Sequence, residues 1–283
     1  MMLNSSWRLV AASVIGELHK LNNLPCQDSS GYDIVNNEWL IAVASDGAGS
    51  AQNSSLGSDW LVKNSIKYFK YLIEKDFVEN QNPIWSDRDW EDVCNKFYTD
   101  ATEELKEFSR NENIEFKSLG ATLIVTIKSK AKLFLLNIGD GRAGYRDDKG
   151  EWYSMMVPYK GEEANSTIFF TSDLTDGSQD YIRTSIIEEK VTAFCLLTDG
   201  LEKICFEVNV YNEETEKYED PNKPYKKFLD PCIDQLKKLF SKDLPQYKIE
   251  KLWEGFLIEG TELIKKETDD KTLILAFELD QFE

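Results

Sequence analysis

The feature that most constrains the fold is an apolar run that ends abruptly in an aspartate. Residues 39–45 are Trp-Leu-Ile-Ala-Val-Ala-Ser, and Asp46-Gly47 follows directly. A short apolar run bounded by turn residues is typical of a strand that is buried on both faces. Such a strand needs another layer of structure on each side. The sequence therefore predicts a layered fold with a carboxylate at the end of a buried strand.

Three further aspartates stand at the ends of apolar runs. Asp140 follows residues 132–139, Asp199 follows residues 191–198, and Asp269 comes just before residues 271–277. Carboxylates that lie side by side need a counter-charge, because like charges a few ångströms apart repel. We therefore interpret these aspartates and Asp46 as one metal site.

The ligand types favour Mg²⁺ or Mn²⁺ at this site. Carboxylate, carbonyl and water oxygens suit these hard cations, whereas Zn²⁺ is usually bound by His and Cys. The chain has one histidine, His19, and its five cysteines are scattered without a CxxC pair. Glycine follows Asp46, Asp140 and Asp199, and it would let a backbone carbonyl approach an ion.

The order of the predicted elements favours an α+β fold. Helical spacing covers residues 56–73, and a second helix begins near Ser86 or Asp87 and continues past Phe108. Strands are predicted at 7–15, 33–35, 39–45, 118–127, 132–138, 141–145, 152–157, 191–198 and 272–279, with two later helices through 228–240 and 252–264. Hairpins with segregated helices predict a layered domain in which helices cover sheets. We expect a single domain over residues 1–283, with loops at 16–31 and 207–224 and a surface excursion or lid at 158–180.

Composition excludes several classes of function. The 51 acidic and 33 basic residues give a formal charge of −18, which disfavours binding to nucleic acid and to anionic membranes. No run of 18 apolar residues predicts a membrane span, and the first residues lack a signal-peptide pattern. Scattered cysteines inside apolar runs suit a reducing compartment. We expect a cytoplasmic protein.

A two-ion site of oxygen ligands is suited to phosphoester hydrolysis. Two ions ~3.5–4 Å apart lower the pKa of a bridging water and neutralise phosphoryl oxygens. No Gly-x-Ser-x-Gly elbow and no Walker-type phosphate loop is present, and a Ser-His-Asp triad would have to use His19. Asp-Gly is also a common turn dipeptide, so each occurrence alone has a structural alternative.

Taken together, these segments resemble the metal-dependent serine/threonine phosphatases of the 2C type, the PPM family, and in particular its divergent bacterial branch. The matching motifs occur in the family's order: Pro25-Cys-Gln-Asp28, Ala44-Ser-Asp-Gly-Ala-Gly-Ser50, Leu119-Gly-Ala-Thr-Leu123, Asn137-Ile-Gly-Asp-Gly-Arg142, Leu196-Leu-Thr-Asp-Gly-Leu201 and Asp269-Asp-Lys-Thr-Leu-Ile274. The resemblance implies a four-layer α-β-β-α sandwich, with two antiparallel sheets flanked by helices. It also implies a Mn²⁺- or Mg²⁺-dependent signalling hydrolase that dephosphorylates serine and threonine.

The resemblance also implies the ligand set. Asp46 would bridge two ions, and the Gly47 carbonyl and Asp28 would complete the shell of one. Asp199 and Asp269 would bind the other ion, and Asp140 would help Asp199 to hold a weaker third. Asp46, Asp199 and His19 are the catalytic candidates.

The chain departs from the family pattern near the first motif. Asn23 stands where many members have a phosphate-binding arginine, Ala48 replaces a histidine that is common in eukaryotic members, and Gln27 replaces a common glutamate. His19 is therefore a candidate for binding phosphate or protonating the leaving group, with a surface or capping role as the alternative. Arg142 and Arg183 are weaker candidates for phosphate contact, with ion pairing as the alternative.

Two other functions stay open at this stage. The chain could be a catalytically silent PPM-like binding or regulatory module, or a two-metal hydrolase of small phosphoesters. For the phosphatase, the expected partner is a phosphoprotein, the substrate of a cognate Ser/Thr kinase. The sequence leaves the oligomeric state open, a monomer included.

Overall fold

The computed structural model describes residues 6–80, 85–159, 167–173, 181–242 and 244–279. Its strands and helices follow one another in the predicted order. The larger elements are β1 (Trp7–Val14), β2 (Ser29–Val35), β3 (Trp39–Ser45), α2 (Ser54–Asn80), α3 (Asp87–Asn111), β4 (Leu123–Lys128), β5 (Leu133–Ile138), β6 (Arg142–Asp147), β8 (Arg183–Ile187), β9 (Val191–Leu197), α5 (Lys226–Phe240), α6 (Gln246–Glu259) and β14 (Lys271–Glu278). The shorter ones are α1 (Glu17–Leu21), β7 (Trp152–Ser154), α4 (Glu202–Cys205), β10 (Phe206–Glu207), β11 (Val210–Asn212), β12 (Lys217–Glu219), β13 (Lys223–Pro224) and α7 (Glu262–Lys265).

Two five-stranded antiparallel sheets form the centre of the fold. The first sheet has the strand order β2-β3-β4-β5-β8, and the second sheet has the order β1-β14-β9-β6-β7. The β2–β3 hairpin turns at Asn36 and Asn37, which have φ values of 53° and 58°. Two residues with positive φ are what a type I′ hairpin turn requires, and asparagine tolerates this conformation.

Side chains alternate between two cores along β3, as expected for a strand covered on both faces. Ile41 and Val43 pack under α2 and α3 with Phe69, Trp90 and other residues. Leu40, Ala42 and Ala44 point the other way and pack against the second sheet. A third core lies between the second sheet and helices α5 and α6. The predicted α-β-β-α sandwich is confirmed.

The helix ends follow local sequence signals. Ser86 caps α3 in a capping box, since its Oγ accepts from the Asp89 amide and the Asp89 carboxylate accepts from the Ser86 amide. In the described residues, no helix combines the length and the apolar character that a membrane span needs.

Some element boundaries differ from the predictions. Residues 118–122 do not extend a strand: Phe116–Leu119 is a 3₁₀ turn, and β4 begins at Leu123. The predicted loop at 16–31 contains helix α1 and the start of β2, and the loop at 207–224 contains the short pairs β10–β13 and β11–β12. The helix predicted through 252–264 is split into α6 and α7. Of the excursion at 158–180, residues 160–166 and 174–180 lie outside the described residues.

Candidate metal centre

Strand register brings three of the aspartates to one end of the first sheet. Ser29 pairs with Ser45, so Asp28 and Asp46 flank the open end of the β2–β3 hairpin. Leu123 pairs with Ile138 two strands away, which puts Asp140 at the same end. Gly139 makes the turn into Asp140 with a φ of 114°, a conformation that favours glycine.

The backbone of Asp46 is fixed by the start of β4. Its amide donates to Oγ1 of Thr122 at 3.0 Å, and its carbonyl accepts from the amide of Thr122 at 2.8 Å. Gly47 is buried, and a Cβ there would lie 2.6 Å from the carbonyl oxygen of Gln27. The close approach of these two backbones therefore requires glycine and places the Asp46 loop against the residue before Asp28.

The second sheet contributes the remaining aspartates at the same end. Leu197 pairs with Leu273, so Asp199 and Asp269 lie just beyond paired strand ends. Asp199 begins a 3₁₀ turn, Asp199–Leu201. A Cβ on Gly200 would lie 2.1 Å from the carbonyl oxygen of Asp270, so this turn is tightly packed on the chain that leads into β14.

Asp28 joins the two sheets through hydroxyl groups of the second sheet. Its Oδ2 accepts from Oγ1 of Thr198 at 2.8 Å and from Oγ1 of Thr272 at 2.9 Å. Thr198 precedes Asp199, and Thr272 lies at the start of β14. The side chain of Asp28 is therefore oriented by the same segments that carry Asp199 and Asp269.

The carboxyl groups are electrostatically unfavourable without a cation. Burial raises the pKa of Asp46 well above its usual value, and the charges of Asp28 and Asp199 raise it further. Burial and then Asp270 and Asp199 likewise raise the pKa of Asp28. Burial, with Asp140 and Asp269 next, raises the pKa of Asp199 to about 6. A side-chain hydrogen bond between Asp46 and Asp199 also raises the pKa of Asp46 and lowers that of Asp199.

The residues present fit a divalent cation with oxygen ligands. Asp28 and Asp199 are close enough to Asp46 to raise its pKa, and Asp199 also raises the pKa of Asp28. Even so, no three His, Cys, Asp or Glu side chains of the described chain are gathered tightly enough to enclose an ion. Like charges without a counter-ion are expected to stay apart in this way. Oε1 of Gln27, next to Asp28, is buried without a hydrogen-bond partner, so an acceptor for a metal-bound water is also present.

His19 lies at the edge of this centre, on helix α1. Its Nδ1 is 2.9 Å from Oδ2 of Asp270, and the two side chains are 12% and 1% exposed. The distance is that of an ion pair, but Nδ1 is not aligned for a hydrogen bond and counts as a buried nitrogen without a hydrogen-bond partner.

The protein phosphatase 2C family model matches residues 15–246 of the 283-residue chain. The chain belongs to the protein phosphatase 2C family. It is 26% identical over 276 residues to serine/threonine-protein phosphatase 3 of Escherichia coli K12, a match that covers 96% of this chain and 98% of that protein. The family match ends before Asp269, so the assignment of Asp269 to the centre rests on the geometry above.

Solved structures of phosphatases share the fold. Serine/threonine phosphatase Stp1 from Staphylococcus aureus aligns with a TM-score of 0.57 at 13% identity and covers 98% of this chain and 97% of that one. The catalytic domain of the phosphatase PstP, in complex with two manganese ions, aligns with a TM-score of 0.54 at 16% identity, covering 97% and 99%. The predicted family and fold are thereby confirmed.

Arg142 of this 2C-type chain is engaged in a buried cluster rather than open to phosphate. It is 1% exposed, and its guanidinium donates to Glu202 at 3.0 Å and to Asp220 at 2.7 Å. It also donates to Asn222 and lies over the ring of Phe206. Arg142 therefore ties β6, the segment after Asp199 and the β12–β13 connection together.

Arg183 and Cys26 have local partners. Nη1 of Arg183 donates to the carbonyl of Val157. Sγ of Cys26 is 3.6 Å from the carbonyl oxygen of Asp28, and burial raises the pKa of this thiol strongly. Cys26 thus has the environment of a structural thiol.

Sequence reasoning missed the residues that orient the ligand candidates. The sequence predicts Asp269 as a site residue and not its neighbour Asp270. In the structure, Asp270 is the buried member of the pair and Asp269 is exposed. Thr198 and Thr272 were also missed. The available signal was the pair of hydroxyl residues inside two of the aspartate motifs, Thr198-Asp199 and Asp269-Asp270-Lys271-Thr272.

Proposed function

We propose that this protein is a metal-dependent phosphatase that hydrolyses phosphoserine and phosphothreonine on proteins. The observation that carries the proposal is the convergence of strand-end aspartates from both sheets, with carboxyl groups that burial and mutual repulsion make costly to ionise. Unpaired buried charges destabilise a fold, so a cluster of this kind indicates an ion or a reaction that needs it.

The proposed ligand roles are those that the family resemblance implies, and the positions of the carboxylates support them. Asp46, at the centre of the cluster and affected by the charges of Asp28, Asp199 and Asp140, is suited to bridge two Mn²⁺ or Mg²⁺ ions. Asp28 and the Gly47 carbonyl would hold one ion. Asp199 and Asp269 would hold the other.

A weaker third ion would lie between Asp140 and Asp199. The charge of Asp140 contributes to the raised pKa of Asp199, so a cation near both carboxylates would offset their repulsion. Bound ions would activate a water for attack and neutralise the phosphoryl oxygens.

The chain's own residues have three tasks in the reaction. Thr198 and Thr272 hold the Asp28 carboxylate by two hydroxyl hydrogen bonds. Asp46 and Asp199 must both be ionised to serve as ligands, and burial opposes their ionisation until a cation balances the charge. We assign to His19 a contact with the substrate phosphate or its leaving oxygen, because it lies beside Asp270 at the edge of the aspartate cluster.

The expected substrate is a phosphoprotein made by a cognate Ser/Thr kinase, and the expected location is the cytoplasm. The chain would act as one domain and could act as a monomer. The five free cysteines, four of them buried, support a reducing environment. A catalytically silent module is less favoured because every aspartate of the ligand set is present. A hydrolase of small phosphoesters would use the same centre and differs only in substrate.

The test is metal-dependent turnover by the purified chain. Hydrolysis of p-nitrophenyl phosphate and of a phosphothreonine peptide is measured with Mn²⁺, with Mg²⁺ and with chelator. We expect activity only with metal, and losses of at least ~100-fold in Asp46→Asn and Asp199→Asn. Asp234→Asn, which removes an exposed carboxylate on α5, is the matched control and keeps full activity.

Three outcomes separate the candidates. Turnover of the aryl phosphate but not of the peptide would favour the small-phosphoester hydrolase. Binding of Mn²⁺ without turnover of either substrate would favour the silent module. Equal activity of Asp46→Asn and wild type would refute the metal mechanism.

A further inference from the structure

A separate hairpin of two short strands presents two tyrosines to solvent. In the described part of the chain, β11 and β12 pair only with each other, and Tyr211 lies directly opposite Tyr218. The ring centroids of this tyrosine pair are 5.2 Å apart, and the two residues are 50% and 67% exposed. Exposed aromatic side chains that stand together on a protruding element are typical of an interaction surface.

The segment that carries the tyrosine pair is strongly acidic. Residues 207–220 contain six acidic residues and one lysine. Glu213, Glu214 and Glu216, in the turn of the hairpin, are exposed, and none of them has an ion-pair partner among the described residues. Carboxylates form ion pairs with arginine and lysine, and tyrosine rings bind the same cations through their faces. The hairpin is therefore complementary in charge and in chemistry to a basic segment.

Hydrogen bonds within the hairpin fix its turn. Oδ1 of Asn212 accepts from the amide of Glu214 at 2.9 Å. The carboxylate of Glu219 accepts from Nδ2 of Asn212 at 2.9 Å and from Oγ1 of Thr215 at 2.7 Å. These bonds occupy the carboxylate of Glu219 and not those of Glu213 and Glu214. A surface that is already ordered loses less conformational entropy when a partner binds.

The root of the hairpin is joined to the candidate metal centre through Arg142. The guanidinium donates to Asp220, the residue after β12, at 2.7 Å and to Glu202 at 3.0 Å. Arg142 lies two residues after Asp140, and Glu202 lies three residues after Asp199. The hairpin therefore begins beside the strand ends that carry two ligand candidates. Its short strands extend about 10 Å from this root, a span that an extended peptide covers with about three or four residues.

We propose that the β11–β12 hairpin is a docking surface for an arginine- or lysine-rich segment of the phosphoprotein substrate, a few residues away from the phosphorylated side chain. This inference rests on the proposed phosphatase function. The rings of Tyr211 and Tyr218 stack on the basic side chains, and Glu213 and Glu214 pair with their charges. These contacts do not change as the phosphoester reacts, so they lower KM for such substrates and leave kcat unchanged.

The experiment compares three phosphothreonine peptides of equal length at saturating Mn²⁺. The first has four arginines that begin about four residues before the phosphothreonine, the second has them at the same distance after it, and the third has glutamines at both places. We expect one of the arginine peptides to have a KM at least ~5-fold below that of the glutamine peptide, with the same kcat. Hydrolysis of p-nitrophenyl phosphate, which has no flanking segment, measures the metal centre separately.

A first variant tests the aromatic part of the surface. Tyr218→Ser removes one ring and should raise KM for the preferred arginine peptide at least ~2-fold, because an exposed cation–π contact contributes about that much to binding. The matched control is Tyr71→Ser on α2, where the tyrosine is 65% exposed. This control should keep the wild-type KM.

A second variant tests the charges without disturbing the hairpin. Glu213→Gln/Glu214→Gln keeps the hydrogen bonds of the turn and should raise KM for the preferred arginine peptide at least ~2-fold. The matched control is Glu104→Gln/Glu107→Gln, which removes two exposed carboxylates from α3. Since both double variants change the net charge of −18 equally, the control measures the general attraction of a basic peptide to an acidic chain.

Several results would overturn the inference while leaving the phosphatase function intact. These are equal KM values for the three peptides, an arginine preference that Glu213→Gln/Glu214→Gln retains in full, or a preference that the α3 control loses to the same extent. If Tyr218→Ser fails to fold, as judged by circular dichroism, the glutamate variants still decide the question. A wild type that turns over neither the peptides nor p-nitrophenyl phosphate would refute the proposed function itself.

Discussion

Replacing Asp199 by asparagine should stabilise the metal-free protein and destabilise the metal-bound one. The folded-state pKa of Asp199 is about 6, against an ordinary value of 3.8. Above pH 7 this difference corresponds to a cost of about 3 kcal/mol for keeping the group ionised in the folded state. Asparagine removes the charge but loses the hydrogen bond with Asp46, so we expect a net gain of about 1–3 kcal/mol.

The direction with pH follows from the raised pKa. A carboxyl group with a raised folded-state pKa binds more protons when folded, so stability falls as pH rises from about 4 to about 6 and levels off above pH 7. In chelator the wild-type Tm should decrease between pH 5 and pH 7. For Asp199→Asn the decrease should be smaller, and its Tm at pH 8 should be higher than that of wild type by about 2–5 °C for a chain of this size.

Calorimetry in chelator and in Mn²⁺ measures both effects, with Asp234→Asn as the control for the loss of one negative charge from a chain of net charge −18. Mn²⁺ should raise the Tm of wild type and of the control but hardly that of Asp199→Asn. A lower metal-free Tm for Asp199→Asn than for the control at pH 8 would refute the electrostatic reasoning.

Three further predictions concern packing around the centre. Gly200→Ala places a Cβ 2.1 Å from the Asp270 carbonyl oxygen, and we expect it to lower Mn²⁺ affinity at least ~10-fold in a calorimetric titration. Gly255→Ala is the control, because a Cβ at this position on α6 meets open space. It should leave Mn²⁺ affinity unchanged and stabilise the fold by about 0.5–1 kcal/mol. Unchanged Mn²⁺ affinity in Gly200→Ala would contradict the first half. Arg142→Met leaves two carboxylates without their buried partner and should cost about 3–5 kcal/mol in urea unfolding; a cost below about 1 kcal/mol would show that the cluster is dispensable. Thr272→Val removes one of the two hydroxyl donors to Asp28 and should weaken Mn²⁺ binding about 10-fold without unfolding the protein, which a titration beside circular dichroism would check.

The sequence was sufficient to predict the layers and the meeting point of the strands. The apolar runs before Asp46 and Asp199 mark strands buried on both faces, and antiparallel pairing brings such ends together once register is set. Their carboxylates could therefore be assigned to one centre before any distance was known. The boundary error at 118–122 arose because Gly120 and Thr122 bond to the Asp46 loop instead of continuing β4.

The orienting contacts could not be predicted from local patterns. Asp269 and Asp270 are chemically identical neighbours, and only the start of β14 decides which of them faces inward. The partners of Arg142 come from a segment near Asp220 without apolar periodicity, 78 residues further along the chain. Neither Thr198 nor Thr272 stands out as a hydrogen-bond donor until Asp28 is placed beside both.

The most direct test of the central claim is a titration of the metal-free protein with Mn²⁺ in which bound metal and phosphopeptide turnover are measured in the same samples, beside Asp46→Asn. The account predicts that turnover appears as two ions bind, and that Asp46→Asn loses both the binding and the turnover. Turnover that is already present before metal binds, or that persists in Asp46→Asn, would contradict the assignment of the converging aspartates as the catalytic metal centre.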